Sequence, residues 1–151
     1  MHGDYMVTSK DLLSNEPFED TIAIFPDLDR GEASLAHPNT FIPYRSLLPS
    51  GVENMLVACR AFSSDQEVNN FFNLIPHCVA LGEAAGTAAA LSLNQGVSAR
   101  NVDFPSLRKQ LIAQNVPLPD AYPARYRKKP GGPIAVYEAP AFGERVPKKR
   151  E

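Results

Sequence analysis

Arg45, Arg60 and His77 are the side chains in this sequence whose type and position best suit catalysis or ligand binding. Each arginine offers a planar fork of donors that fits a carboxylate or a phosphate, although a surface salt bridge explains each equally well. His77 follows Pro76 at the start of a helix-like segment, and an imidazole can act as an acid or a base near neutral pH. It could also cap the helix or form a hydrogen bond in the core.

The segment after His77 is built almost entirely of glycine and alanine. The pattern predicts a helix from Pro76 to about Asn94, with Gly96 as its C-cap. Each of Gly82 and Gly86 costs such a helix about 1 kcal/mol relative to alanine, so a close approach by another surface is expected. The unpaired amides at the helix start favour negative charge. A tightly packed pair of helices inside an ordinary core remains the alternative.

Short strands and a second helix are expected to position these residues. Strand patterns cover residues 5–8, 18–25, 41–47 and 54–58, the last of them uncharged and expected to be buried. Tyr44 and Arg45 would then point to opposite faces of a strand. Thr8 and Asp11 predict a short helical turn through Leu13.

Residues 27–39 are expected to form a polar loop, and residues 60–76 an irregular or briefly helical active-site loop. The second helix is predicted to begin at Asp103, to place Leu107 and Leu111 in the core, and to end near Asn115. No periodicity is found beyond residue 121.

Composition narrows the class of protein. The chain has 151 residues, 44% of them hydrophobic, which is enough for one domain with a core. Its net charge of −2 gives no argument for nucleic acid or membrane partners, and no apolar run is long enough to span a bilayer. Two cysteines, Cys59 and Cys78, are too few for a disulfide framework or a structural metal site. A cytoplasmic location and no bound metal are therefore expected.

The balance of acidic and basic residues changes at about residue 120. Residues 1–120 carry 7 Lys and Arg against 14 Asp and Glu, whereas residues 121–151 carry 8 against 3. The second part is also rich in proline. We expect a body over residues 1–120 and an extended basic tail over residues 121–151, which either wraps along a partner or is disordered.

Three motifs occur in register. They are Ile42-Pro43-Tyr44-Arg45-Ser46-Leu47, then Val52-Glu53-Asn54-Met55-Leu56-Val57-Ala58-Cys59-Arg60, then Pro76-His77-Cys78-Val79-Ala80-Leu81-Gly82-Glu83-Ala84-Ala85-Gly86. Together they resemble the C-terminal part of the FAD-dependent oxidoreductase family of the two-dinucleotide-binding-domain type. The resemblance runs without gaps over residues 42–96 and is weaker at residues 3–8 and 18–20.

This resemblance implies an α/β architecture, here an α+β fragment: the C-terminal portion of a Rossmann-like FAD-binding fold with a few strands and two helices. It also places the start of the small-residue helix at the flavin edge, with backbone amides at residues 82–84 or one turn earlier in contact with it. The residues implied to bind FAD are Cys59, Arg60, Pro76, Leu81, Gly82, Glu83 and Ala84. His77 and Arg45 are the implied catalytic residues.

The sequence departs from the family pattern near the expected substrate. The family usually has glycine where Cys59 stands, histidine where Gln66 stands and arginine where Asn73 stands. Gln66, Asn73 and Phe72 are the implied substrate-pocket residues, and losing a histidine and an arginine there implies an unusual small-molecule substrate. Phe71 and Phe72 would supply an apolar wall, although burial in the core is the simpler interpretation.

No Gly-x-Gly-x-x-Gly occurs in the sequence, so the chain is expected to lack the N-terminal FAD-binding half and not to hold FAD alone. We therefore expect a subunit of a heteromeric FAD-dependent oxidoreductase, whose partner chain bears the glycine-rich domain and which transfers hydride to the flavin. A non-catalytic binding or regulatory chain derived from a flavoenzyme, and a truncated gene product, are the alternatives.

Overall fold

The computed structural model describes residues 1–14, 16–26, 39–72 and 74–119, and all structural statements below concern these residues. Within these residues, two strands and four α-helices follow one another, with short 3₁₀ helices at Tyr44–Leu47 and Ala99–Asn101. The elements are α1 Ser9–Ser14, β1 Thr21–Pro26, β2 Asn39–Pro43, α2 Gln66–Phe71, α3 Ile75–Gln95 and α4 Phe104–Ala113.

The two strands form an antiparallel sheet that lies within the core. Thr21 pairs with Pro43 and Phe25 with Thr40, and the register shifts by a bulge between Thr21 and Ala23. Every residue of β2 is buried. Both α1 and α3 pack against this sheet, so β2 has no exposed face although it contains Asn39 and Thr40.

Aspartate side chains accept hydrogen bonds from backbone amides at the starts of the shorter helices. Asp65 accepts a hydrogen bond from the Val68 amide at 2.8 Å and so caps α2. Its other oxygen accepts from the Ser9 amide at 2.9 Å, which joins α2 to the start of α1. Asp11 in turn accepts from the Thr8 amide at 2.8 Å, so the short helix predicted from Thr8 and Asp11 is confirmed.

The two longer helices agree with their sequence patterns. Helix α3 has 21 residues and ends at Gly96, whose φ of 66° is the left-handed conformation that glycine adopts without strain. Helix α4 begins after Asp103, which accepts from the Ser106 amide at 3.0 Å. Leu107 and Leu111 of α4 are fully buried against α3 and the rest of the core. The mixed α+β class expected from the sequence is confirmed.

Three predicted strands are absent or shortened. Residues 5–8 form only an isolated bridge between Val7 and Ser64. The strand expected over residues 41–47 ends at Pro43, after which Tyr44–Leu47 is a 3₁₀ helix. Tyr44 is buried there and Arg45 is partly exposed. Residues 54–58 form no ladder and are not fully buried, because among the described residues no strand lies beside them.

Some expectations fall on residues outside the described ranges. These are the loop over residues 27–38, Asn73, and the boundary at residue 120 with the basic tail beyond it. Within the part of the chain that the structure describes, no helix is long and apolar enough to cross a membrane.

Candidate functional site

The outward face of α3 is smooth and mostly apolar. Ile75 is 80% exposed, Val79 63% and Leu93 82%, which is unusual for large aliphatic side chains. Gly82 and Gly86 lie between them on the same face at helical spacing and are also exposed. This set of residues is called the α3 outer face below, and Glu83 beside it is the charged residue of the helix.

Neither glycine of the α3 outer face packs against another part of the described chain. A Cβ atom built on Gly82 or Gly86 would meet nothing within 4 Å. The alternative interpretation, a tightly packed core helix, fits Ala84, Ala85 and Ala88, which are buried in the core, but not Gly82 and Gly86, which stand on an open surface.

The start of α3 has no side-chain cap. The N-cap residue Leu74 has no side-chain acceptor, Pro76 lies in the first turn, and that turn has no acidic residue. The unpaired amides and the helix dipole leave this end positively polarised. Gly82 and Glu83 are more than one turn further on, where their amides belong to the helix interior. One turn earlier, the amides of Val79 and Ala80 are also within the helix, so the free amides lie about two turns before Gly82 and the helix bounds favour neither implied position.

Among the residues implied to bind a cofactor, those within α3 lie on two faces of the helix. Gly82 and Glu83 are exposed, whereas Leu81 is 1% exposed and Ala84 is fully buried in the core. Successive helix residues are separated by about 100° around the axis, so four consecutive positions cannot share one surface. The side chains of Leu81 and Ala84 belong to the packing of the helix on the sheet.

His77 lies in a cluster of aromatic rings at the start of α3. Its ring centre is 4.5 Å from that of Phe25 and 4.9 Å from that of Phe72, and the residue is only 7% exposed. Nδ1 is buried and has no hydrogen-bond partner among the described residues. Desolvation by burial lowers the pKa of His77, so the neutral imidazole is the stable form at neutral pH.

Arg45 is held by three neighbours. Its guanidinium carbon is 4.6 Å from the centre of the Tyr5 ring and 5.5 Å from that of Phe18. An Nη1 atom lies 3.3 Å from Asp20 Oδ1, and the Arg45 amide donates to Asp20 Oδ2 at 3.1 Å. This arrangement stabilises the turn after β2 through cation–π attraction and an ion pair. A structural role for Arg45 is better supported than a catalytic one.

Cys59 and Arg60 lie in an exposed turn that several hydrogen bonds fix. The Ala61 amide donates to Cys59 Sγ at 3.4 Å, and the carbonyl of Arg60 accepts from Asn69 Nδ2 at 2.9 Å. The N-terminal ammonium donates to the Ala61 carbonyl at 3.1 Å. The backbone of the turn is therefore ordered while the Arg60 side chain is exposed to solvent.

The implied substrate-pocket residues that the structure describes, Gln66 and Phe72, differ in exposure. Gln66 is exposed and its Nε2 lies 3.4 Å from Asn70 Oδ1, along α2. Phe72 is 2% exposed and packs on Phe25 and Phe62, with ring centres 5.1 and 4.9 Å away. Burial in the core, the simpler interpretation, is therefore correct for Phe72. The side chain of Phe71 and all of Asn73 lie outside what the structure describes.

Sequence reasoning missed Arg100, which joins three distant parts of the chain. It forms ion pairs with Asp4 and with Glu53, the latter at 3.2 Å, and donates to the Pro49 carbonyl at 2.8 Å. Asp20, the partner of Arg45, was missed for the same reason. Both depend on contacts between residues far apart in sequence, so no local signal indicates them. Among the described residues, no group of His, Cys, Asp and Glu is placed to hold a metal ion.

Comparison with known families agrees with the motifs. The family model described as FAD dependent oxidoreductase matches residues 1–111, which is more than two thirds of the chain. It spans the sheet, the whole of α3 and most of α4. Neither a curated protein nor a solved structure gives a significant match.

Proposed function

Because the chain belongs to the FAD-dependent oxidoreductase family, we propose that it is one subunit of a heteromeric flavoenzyme and completes a flavin site carried mainly by a second polypeptide. The family match over residues 1–111 supports a flavin-related role, and in this proposal the partner supplies the glycine-rich phosphate turn. In this proposal the α3 outer face is a binding surface for the flavin ring.

One observation carries this proposal: Gly82 and Gly86 are open to solvent on a face that also exposes Ile75, Val79 and Leu93. A flat apolar ring can lie against such a face, since no Cβ atom stands in its way. Large aliphatic side chains that are exposed in the separate chain would be removed from water in the assembly.

The start of α3 also fits the polar edge of a flavin ring. Its N-cap residue, Leu74, offers no side-chain acceptor, and no carboxylate in the first turn competes for the amides. A helix N-terminus stabilises nearby negative charge by about 0.3–2 kcal/mol. His77, two residues after Ile75, lies about 200° from it around the helix axis, so its buried ring faces the core and not the α3 outer face.

FAD, when bound, would accept a hydride from a C–H bond of the small-molecule substrate. In this proposal the amides of the first turn of α3 hold the ring edge, and the smooth surface after them excludes water. His77 is neutral at neutral pH because burial lowers its pKa, and its ring packs with Phe25 and Phe72 on the core side of α3. Arg45 acts indirectly, by fixing the turn that follows β2.

A visible spectrum of the native purified assembly, with mass spectrometry of every chain in it, tests the proposal. We expect a flavin spectrum and a second polypeptide with a glycine-rich phosphate turn. A colourless assembly that contains only this chain would refute the proposal.

The second candidate is a non-catalytic binding or regulatory subunit derived from a flavoenzyme. Two observations favour it: His77 is enclosed by Phe25 and Phe72, and Arg45 is engaged by Asp20 and Tyr5. In that case the side chains implied to be catalytic are structural. Reduction of flavin by substrate at the same rate with and without this subunit would support the second candidate.

A further inference from the structure

The exposed residues of the α3 outer face have the spacing with which one helix packs along another. Together with the exposed Ala89 they form a line along α3 at alternating intervals of four and three residues: Ile75, Val79, Gly82, Gly86, Ala89 and Leu93. This alternation keeps side chains on one side of an α-helix and is the spacing found where two helices pack side by side. Every position on the line is exposed in the described part of the chain.

The line is symmetric about the level of Ala84 on the helix axis. Ile75 and Leu93 lie nine residues on either side of this level, and Gly82 and Gly86 lie two residues on either side. The large side chains are therefore at both ends of the line and the glycines are in the middle. Two crossing helices are closest at the crossing and diverge on both sides, so small residues fit the crossing and large residues fit the ends.

We propose that two copies of this chain pair through the α3 outer face, with their α3 helices antiparallel and crossing at Gly82 and Gly86. Ile75 of each copy then packs on Leu93 of the other, as a two-fold interface of identical surfaces requires. This pairing is a property of the chain by itself and does not depend on the proposed heteromer. Because both use the same face, a copy that is bound to the flavin-carrying partner cannot pair in this way.

The two ends of α3 favour the antiparallel orientation. The first turn has no side-chain cap and no acidic residue, and the last turn has no basic residue. Charged side chains of α3 therefore compensate neither the positive nor the negative end of its dipole. Antiparallel pairing places the start of each α3 beside the end of the other, where the opposite partial charges attract. Parallel pairing would place like ends together.

The size of the face indicates a weak dimer. The line from Ile75 to Leu93 spans about 27 Å at a rise of about 1.5 Å per residue, and a helix with its side chains is about 10–12 Å wide. Two copies therefore cover at least about 600 Å² in total, which is the range of weak and transient interfaces. We expect a dissociation constant of about 1–100 µM for the pair.

Glu83 gives this pairing a property that other arrangements lack. It is exposed on the flank of the α3 outer face, one residue before the level of Ala84. A two-fold axis at that level places it close to Glu83 of the second copy, so the two carboxylates repel each other. Glu83→Gln removes this repulsion at nearly constant side-chain size and should tighten the dimer.

Sedimentation equilibrium of the full-length chain expressed alone tests the inference. We expect a monomer–dimer equilibrium in which Leu93→Lys raises the dissociation constant at least about tenfold and Glu83→Gln lowers it about threefold. Leu13→Lys is the matched control, because Leu13 is a 63% exposed leucine of α1 outside the face, and a change of less than about threefold is expected there.

Three results would overturn the proposal. The first is a wild-type chain that stays monomeric at about 500 µM, well above the expected dissociation constant. The second is a dimer that Leu93→Lys and Leu13→Lys weaken equally, which would place the interface elsewhere. The third is a dimer that Glu83→Gln does not tighten, which would exclude a two-fold axis at Ala84.

The distance between two spin labels decides the orientation. A nitroxide at Asn94→Cys, in a chain that also carries Cys59→Ser and Cys78→Ala, lies at an exposed position off the line. In the antiparallel dimer the two labels are about 30 Å apart, because each lies ten residues from the two-fold axis. A distance below about 20 Å would indicate parallel helices and overturn the pairing. Neither result bears on the heteromer, which is tested with the native assembly.

Discussion

The hydroxyl of Tyr44 donates a 2.7 Å hydrogen bond to the carbonyl of Ala99, 55 residues further along the chain. Tyr44 is 5% exposed, and burial raises its pKa to about 12. The bond connects the 3₁₀ helix after β2 with the 3₁₀ helix after α3. It therefore fixes the end of α3 relative to the sheet.

Tyr44→Phe should lower the free energy of unfolding by about 1–2 kcal/mol, because the Ala99 carbonyl is left buried without its partner. Tyr5→Phe is a matched control, since it removes a hydroxyl bonded to Asp11 in a partly buried place, and we expect about 0.5 kcal/mol there. Urea denaturation of the three proteins measures both. Equal losses of unfolding free energy in the two variants would show that the buried position of Tyr44 does not strengthen the contribution of its hydrogen bond.

Gly82→Ala and Gly86→Ala should each stabilise the isolated chain by about 0.5–1 kcal/mol, because alanine is the better helix former and each new Cβ atom meets open space. The same variants should lose flavin or partner in the assembly, since the methyl groups stand on the α3 outer face. Thermal unfolding and flavin content give the two readouts. Retention of flavin by the double variant would contradict the role given to the glycines.

Gly96→Ala is the control for those two variants. Gly96 has a φ of 66° at the end of α3, so alanine there is strained and should destabilise the chain by about 1 kcal/mol. If Gly96→Ala were stabilising, the stabilisation by Gly82→Ala and Gly86→Ala could not be attributed to helix propensity at sites with free space for a Cβ atom.

His77 should make stability depend on pH. Its pKa is lowered in the folded chain by burial and returns to the ordinary value of about 6.5 on unfolding. The unfolded state therefore binds more protons near and below that pH, so the free energy of unfolding falls as the pH is lowered from about 8 to about 5. His77→Phe should reduce this dependence. Denaturant titrations across this pH range measure the free energy of unfolding, with the variant His2→Phe at an exposed position as the control. An unchanged pH dependence in His77→Phe would refute the assignment of the effect to His77.

Arg45→Lys should destabilise the chain by about 0.5–1.5 kcal/mol, because lysine keeps the charge but loses the planar group over Tyr5 and Phe18. Asp20→Asn should have an effect of similar size, since Asp20 holds both the Arg45 guanidinium and its amide. Unfolding measurements on each variant and on the double variant give the coupling. Loss of turnover in the assembly without loss of stability would instead identify Arg45 as catalytic.

The long helix shows how much of the fold could be predicted from sequence. Pro76, the run of alanines and Gly96 predict its start, its length and its end, because each acts through local backbone conformation. The caps at Asp11 and Asp103 were predictable for the same reason. The family was also predictable, since its motifs are contiguous.

Residues 54–58 show where such prediction fails. Their composition favours a buried strand, but a strand also needs a neighbour, and the described residues provide none. Tyr44–Leu47 likewise has strand-like residues and forms a 3₁₀ helix, because Asp20 binds the amides of Tyr44 and Arg45. In both places the tertiary surroundings override the local pattern.

The sequence by itself determined the two longer helices, the short helix after Thr8 and the family of this protein, because these depend on residues that are neighbours along the chain. Only the tertiary structure decided that Leu81 faces the core while Gly82 faces outward, that His77 is enclosed by Phe25 and Phe72, and that Arg45 is held by Asp20. Those outcomes depend on which surfaces meet, and the burial of apolar side chains from distant segments selects among them.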